Sequence, residues 1–455
     1  MATPTPRISH HTRASAESRR GLSLNVNRNS GSFLHTAIVG AGPYGLSLAA
    51  HLREAGVPHR IFGRSMHSWA TQMPVGMKLK SDGFASNLSA GSVPFTLEDF
   101  ARLTGRPYHA TQIPVAIEDF IAYGQEFARR FVPELEEVDV TNIESEGKAF
   151  RLTLETGESF LARHVILATG VSLFPWLPPV LRSLPSNLVS HTADHRTFDQ
   201  FQGRDVLVLG RGASSLNAAV ILNEIGAHPT VVTRARKIHI HRPAFSGRSP
   251  LWYRLRHPSS PLGSSLRSWM ASSFPGLFRA LPAPLRRALV YRHLGPAGGV
   301  TLHGRLEGKM PILRGWSVLK AEAVPGNDGE EIIRLKLAND DGETREITTS
   351  HVIAGTGYRT DLDRYRFLAA NLRASIHRQK FGAPVLSRSF ETSVPGLYLI
   401  GPAAAATFGP LLRFAAGASY AATQVTNHLA QDFARIRGLA RPSMAVQAQR
   451  VRPVK

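Results

Sequence analysis

The sequence predicts an α/β protein of two Rossmann-like dinucleotide-binding domains, the second inserted into a split first. Three observations carry this. A glycine-rich turn, "VGAGPYG" (39–45), lies between a strand pattern and an apolar-periodic helix pattern. A second such turn, "LGRGASS" (209–215), follows about 170 residues on. Each is succeeded by a strand-rich meander closing on a buried strand and Thr-Gly, "HVILATG" (164–170) and "HVIAGTG" (351–357). A whole domain is thus duplicated, with the end of the first copy displaced to the C-terminus.

The elements follow in order. "FLHTAIVG" from Phe33 reads as a strand, and a helix runs from about Tyr44 to Ala55, stopped by Gly56. "HRIFG" is the next short strand, and Arg64 to Gln112 carries few periodic signals. "IPVAIEDFIAYGQEFARRF" has helical apolar spacing. The stretch from Glu136 to Gly170 alternates and breaks at Glu146-Gly147 and Thr156-Gly157, as a small antiparallel sheet does. "LFPWLPPVLRSLPSN", with four prolines, is a linker. Beyond the second glycine turn lies a basic insert, 238–315. Strands follow, then "GLYLIGP" and a helix from about Ala415 to Arg435.

Composition narrows the chemistry. The chain has 455 residues, 43 % of them apolar, enough for several cores. It has no cysteine, which excludes disulfides, thiolate-bound metals, iron–sulfur clusters and any dithiol redox step. A net charge of +21 attracts anions. The uncharged run "GLYLIGPAAAATFGPLL" contains Pro402 and Pro410 and reads as buried loop and turn, so no membrane span and a cytoplasmic protein are expected. Residues 1–32 read as a disordered basic tail, although a transit peptide has the same composition, and 438–455 as a second tail.

The glycines have separate duties. In Gly40-Ala41-Gly42-Pro43-Tyr44-Gly45 the first permits the tight turn, the second lets backbone approach a pyrophosphate, and the third lets helix pack on strand. Helix N-terminal amides then hold the phosphates. The acid usual about 20 residues on, for the ribose, is absent: Gly63 stands there, followed by Arg64 as a candidate for pyrophosphate or adenine. The second turn, with Gly210, Gly212, Ser214 and Ser215, has serine for the third glycine. Its following strand ends "VVTRARK", placing Arg234 and Arg236 where an NAD site has an acid, which favours a 2′-phosphate. FAD in the first site and NADPH in the second is the natural assignment. The expected layout is 33–180 and 356–437 for the split FAD domain and 181–355 for the NADPH domain. "HIHRP" puts His239 and His241 on one strand face, but no carboxylate or zinc-type spacing accompanies them, and no metal is expected.

The insert is unusual. From Arg236 to Arg314 there are fourteen Arg or Lys and one acid, Glu307, with aromatics interleaved and prolines breaking it into short helices. It reads as a lid or packed insert, with membrane-surface contact the alternative and nucleic acid not expected.

These motifs together resemble the class B flavoprotein monooxygenases, comprising the flavin-containing monooxygenases, the lysine and ornithine N-hydroxylases and an FAD-dependent urate-hydroxylase-like group, over roughly residues 33–435. The domain arrangement is that of glutathione-reductase-type flavoproteins. "HVILATG", with Thr169 and Gly170, is similar to the strand closing the first FAD segment. "AGTGYRTDL" (354–362), with Tyr358, resembles the family's ATGY segment, with Gly355 for the usual Ala. "SWATQMPVGMKLKSDGFASNLS" (68–89) resembles the flavin-side segment and implies Met73, Lys80, Ser81 and Asn87 near the ring, with Trp69 facing either the flavin or the core. "GLYLIGP", with Gly401 and Pro402, and "GPLLRFAAGASYAA" look like the C-terminal flavin-contacting strand and helix. The subfamily signatures are incomplete: Pro185, Asn187 and His195 replace residues of one, and Ser350 an Asp of another. The wording of "GMKLKS" and "FGPLLRFAAG" leans to the urate-hydroxylase-like group.

The resemblance implies an NADPH-dependent monooxygenase that hydroxylates a small molecule with dioxygen through a flavin C4a-(hydro)peroxide, with no side-chain nucleophile to name. Two alternatives stand beside it. One is a cysteine-free FAD/NADPH oxidoreductase without oxygen insertion; the other is a basic surface-binding protein with vestigial nucleotide sites. Neither the substrate nor the oligomeric state is written in the sequence.

Overall fold

The computed structural model describes residues 33–240, 257–292, 297–326, 329–380 and 382–438. The N-terminal tail, His241 and the early part of the insert lie outside them.

Two mainly parallel sheets are built on one plan. In the first, strand order is Leu135–Glu136, His59–Phe62, Phe33–Val39, Ser159–Leu167. In the second it is Ile312–Arg314, His228–Thr233, Asp205–Leu209, His351–Ala354, with Val189–His191 beyond. Each sheet therefore places its glycine-turn strand beside the strand that closes its domain, Val39 paired with Leu167 and Leu209 with Ala354. That junction is the topological switch point, where a crevice opens at the carboxyl ends of the strands. These strands read as unbroken apolar runs because both faces are covered: residues 35–39 and 164–168 are buried throughout. The antiparallel pairs Val140–Glu146, Ala149–Leu154 and Ser159–Leu167 are the first meander, and Trp316–Pro325, Glu331–Asn339 and Thr344–Thr349 the second.

The closing strand of the first sheet is long enough to serve two partners. Its first half pairs antiparallel with Ala149–Leu154, and its end pairs parallel with Leu397–Leu399 from the far end of the chain. The returning C-terminus is thereby stitched into the first core. The final helix, Gly417–Ile436, packs on the first glycine-turn helix, Pro43–Glu54. The two crossings between domains also pair with each other. Trp176 N–H donates to the Gly357 carbonyl at 3.0 Å and Arg359 N–H to the Phe174 carbonyl at 3.0 Å, while the Arg359 guanidinium stacks 3.4 Å from the Trp176 ring centroid.

The region 64–112, without periodic signals, contains a helix, Leu97–Thr104. Thr96 and Asp99 form a reciprocal capping box at its start and Gly105 ends it in the left-handed region. Eight residues are too few for an apolar period to stand out, but the T-x-x-D spacing marks the start.

The two glycine turns differ by a swap of bulk. A Cβ at Gly45 would lie 1.8 Å from the Gly40 carbonyl oxygen and 3.4 Å from the Ala168 side chain. In the second domain the equivalent partners are Ser215 and Gly355, and a Cβ at Gly355 would lie 2.2 Å from that of Ser215. Glycine has moved from the helix to the strand end, so helix and strand still approach closely. Gly355→Ala is expected to destabilise the second domain by about 1–3 kcal/mol, and adding Ser215→Gly to restore most of it. Denaturation curves of both single variants and the double variant check this; additive losses would refute the swap.

Candidate functional site

One continuous cleft of about 2730 Å³ runs along the carboxyl ends of both sheets and touches both glycine turns. That is well beyond the ~300–1,000 Å³ of an ordinary small-molecule pocket and matches extended ligands.

The three glycines of the first turn differ in their surroundings. Gly40 has φ +113°, and a Cβ there would lie 2.6 Å from the Ala168 carbonyl oxygen. Gly45 faces the strand and is off the cleft wall. Gly42 lies on the wall, and a Cβ there would meet nothing within 4 Å. Only this position opens onto ligand space at a helix N-terminus, as a pyrophosphate cradle requires. Gly210 repeats the tight turn at φ +138°, against the Gly355 carbonyl.

Of the other sequence candidates, Trp69, Met73, Lys80, Thr169, Gly170, Gly212, Ser214, Tyr358 and Pro402 are on the wall. Ser81 is also there, whereas Asn87 is not: its carboxamide oxygen accepts from Leu97 N–H at 2.8 Å and so holds the start of the helix at 97–104. Trp69 is wedged edge-on against Phe120 at 4.8 Å. Ser215 and Gly401 are off the wall: Ser215 is buried, with its hydroxyl donating to the Gly212 carbonyl at 2.9 Å. Gly401, at φ +84°, sits against the Tyr44 ring.

The cations divide. Arg64 is on the wall but engaged by Asp139 at 2.5 Å and Glu155 at 3.1 Å. Asp139 is also on the wall, so an acid reaches this edge from the loop between Leu135–Glu136 and Val140–Glu146 although Gly63 carries none. Arg234 is exposed on the wall and makes no ion pair among the described residues. Arg236 departs from expectation. It turns off the wall to Asp340 and Asp341, at 3.6 and 3.2 Å, because the loop joining the last two strands of the second meander brings those acids to it. Arg211, inside the second turn, is the cation the sequence reading passed over; it lies on the wall and donates to the Lys237 carbonyl at 3.4 Å.

Tyr44 was also passed over. Its buried hydroxyl lies 2.9 Å from the Leu412 carbonyl and 2.8 Å from that of Phe414. It thereby ties the first turn to the segment returning from the far end of the chain. The pairing spans more than 360 residues and leaves no local signal.

A third group of cations faces the cleft near that segment. Lys80 is half-buried, and burial together with the nearby Arg413 charge holds its ammonium below the ordinary lysine range. Arg286, from the insert helix Ala283–Arg292, is also on the wall. Its Nη1 donates to the Arg279 carbonyl at 2.7 Å, and its Nε is buried without a partner. Burial and the Arg279 charge lower its pKa, with no acid acting in the opposite sense. The Arg413 guanidinium donates to the Val290 carbonyl at 3.3 Å, joining this group to the insert helix. Phe278 and Val290 of the insert are part of the first domain's core, so the insert packs on that domain beside the cleft.

Two switch-point crevices sharing one cleft define a two-dinucleotide oxidoreductase, and the absence of cysteine removes its dithiol branch. Within that class the chain is similar to flavin-dependent monooxygenases. A family model described as pyridine nucleotide-disulphide oxidoreductase matches residues 37–254. Indole-3-pyruvate monooxygenase YUCCA1 of Oryza sativa subsp. japonica is 26 % identical over 387 residues, 80 % of this chain and 85 % of the relative. YUCCA6 of Arabidopsis thaliana is 29 % identical over 209 residues, covering 43 % of this chain and 47 % of the relative. Among solved structures, the reduced form of ornithine hydroxylase (PvdA) from Pseudomonas aeruginosa aligns with a TM-score of 0.67 at 17 % identity, over 88 % of this chain and all of that one. A bacillithiol disulfide reductase from Bacillus cereus aligns at 0.57 and 20 % identity, over 88 % of this chain and all of that one. At these identities the structural likenesses speak to fold.

Proposed function

We propose that the chain binds FAD at the Gly40–Gly45 turn and NADPH at the Gly210–Ser215 turn, and hydroxylates a small organic acid. The observation carrying the substrate class is the presence of two part-buried cations, Lys80 and Arg286, on the cleft wall. Burial and a neighbouring like charge lower the pKa of both, and the Arg286 Nε is buried without a hydrogen-bond partner. Burying cations without a counter-charge is unfavourable unless a ligand supplies one. A carboxylate fits; a diamine does not. Relatives of both kinds exist, an indole-3-pyruvate monooxygenase and a cadaverine monooxygenase, and the wall of this cleft favours the former kind.

Bound FAD supplies the relay of electrons between NADPH and dioxygen. The protein's own part is positional. Gly42 leaves room for phosphate, and Tyr44 fixes the turn against the 410–415 segment. Asp139, held by Arg64, offers a carboxylate at the edge where a ribose would lie. Arg211 and Arg234 offer charge to a 2′-phosphate. The insert helix contributes Ala283, Pro284, Arg286 and Val290 to the cleft wall.

NADPH oxidation by the purified flavoprotein should be stimulated by indole-3-pyruvate or phenylpyruvate and not by cadaverine. The methyl ester of the acid should show a KM at least about tenfold higher. Lys80→Met should raise the KM for the acid to that of the ester without a matching change for the ester. Because the Lys80 ammonium is held below its ordinary range, raising the pH discharges it sooner than a free lysine, so affinity for the acid should fade on the alkaline side. A wild-type enzyme that treats acid and ester alike, or prefers the diamine, would refute the substrate class. Hydroxylated product with matched oxygen uptake separates oxygen insertion from plain electron transfer.

A further inference from the structure

We propose that the insert helices between residues 266 and 289 dock this enzyme on an anionic phospholipid surface. The described residues include sixteen exposed large apolar side chains, and seven of them fall in this short stretch: Leu266, Trp269, Met270, Phe274, Leu277, Leu285 and Leu289. A solvated helix points polar groups outward. Helix Leu266–Ser273 does the reverse. Leu266, Trp269 and Met270, at the i, i+3, i+4 spacing of one face, are exposed, whereas Ser268 is buried. The stripe continues through Phe274, whose ring meets Trp269 edge-on at 5.7 Å, to Leu277. In helix Ala283–Arg292, Leu285 and Leu289 are again one turn apart and exposed. The inner side of the same insert is already used, by Phe278 and Val290 in the first core and by Arg286 on the cleft wall. The outward face is therefore not the misplaced half of a core.

Charge selects the occupant. By sequence the stretch from 236 to 314 holds fourteen cations and one acid, Glu307; acids hold Arg236, Arg305 and Arg314, and none of these three lies in the helices between 266 and 289. Arg267 stands exposed within the apolar stripe, and Arg279 is half-buried beside it. A second copy of a chain with net charge +21 would bring like charge against like. Nucleic acid would meet the arginines and leave the leucines and Trp269 in water. A bilayer with anionic headgroups satisfies both: leucine, tryptophan and phenylalanine enter the headgroup–acyl boundary, and arginines meet phosphate. No helix among the described residues is long and apolar enough to cross a membrane, so the contact is peripheral.

The test is flotation of the flavin-loaded full chain with phosphatidylcholine vesicles, with and without phosphatidylglycerol, at low and moderate salt. Co-flotation is expected only with phosphatidylglycerol, and weaker as salt screens the charges. Combining Leu266→Ser, Trp269→Ser and Leu277→Ser should lower partitioning by about tenfold or more, and Arg267→Gln by about fivefold. Flavin content and melting temperature report that the variants stay folded, since all four side chains are exposed. Absence of binding to phosphatidylglycerol vesicles at low salt overturns the proposal. So does unchanged partitioning of the triple variant, and so does a wild-type dimer that the triple substitution dissociates, which would assign the face to a second copy.

Discussion

Replacing Gly42 with valine is expected to yield a folded, colourless protein. Neighbouring glycines of this one turn stand in different surroundings. At Gly45 a Cβ would sit 1.8 Å from the Gly40 carbonyl oxygen, so even alanine must push helix from strand. At Gly40 the backbone itself is in the left-handed region, at φ +113°. At Gly42 the backbone is extended, with φ −88° and ψ −172°, and nothing lies within 4 Å of a Cβ. Valine there costs the apo fold little and fills the space a pyrophosphate must enter at the helix N-terminus. Flavin affinity should fall by at least about a hundredfold, equivalent to about 2.7 kcal/mol. The melting temperature of the flavin-free protein should be nearly unchanged. Gly45→Ala should instead lower that melting temperature. The flavin absorbance band and a thermal melt of both variants decide the matter. A yellow Gly42→Val protein would mean that this turn is not the cradle.

The second large effect is on coenzyme choice. Arg234→Ala and Arg211→Ala should each raise the KM for NADPH by about 10–100-fold, as expected for loss of one charge-assisted bond of about 1.5–3 kcal/mol to a phosphate. The KM for NADH, which lacks the 2′-phosphate, should stay within about twofold. Arg236→Ala should do neither, since Asp340 and Asp341 hold that side chain away from the cleft. Equal losses for both coenzymes in the Arg234 variant would place the 2′-phosphate elsewhere. A selective NADPH loss in the Arg236 variant would mean that its acid pairs open when the coenzyme binds.

The paired contrast between Arg234 and Arg236 shows where sequence reading stops. Both stand two residues apart at the end of one strand, and both satisfy the rule that cations there prefer a 2′-phosphate. What separates them is a loop more than 100 residues on, which brings two aspartates to one of them only. Gly355 is a similar case. As sequence it is a departure from the family's ATGY segment; in three dimensions it is the space that Ser215 needs. Tyr44 looks like an ordinary apolar member of a helix, yet its hydroxyl closes the join between the two halves of the split domain.

The sequence by itself determined the duplicated plan, the two glycine turns, the exclusion of thiol chemistry and the resemblance to class B flavoprotein monooxygenases. Each of these follows from residue type, local spacing or composition, which are properties of the chain before it folds. Tertiary structure alone decided which cations face the cleft, that Lys80, Arg286 and Arg413 converge on it from three separate segments, and that the insert turns its leucines outward. Those outcomes depend on which remote backbone arrives beside a side chain. Charge and burial act through space, and no spacing along the chain encodes that distance.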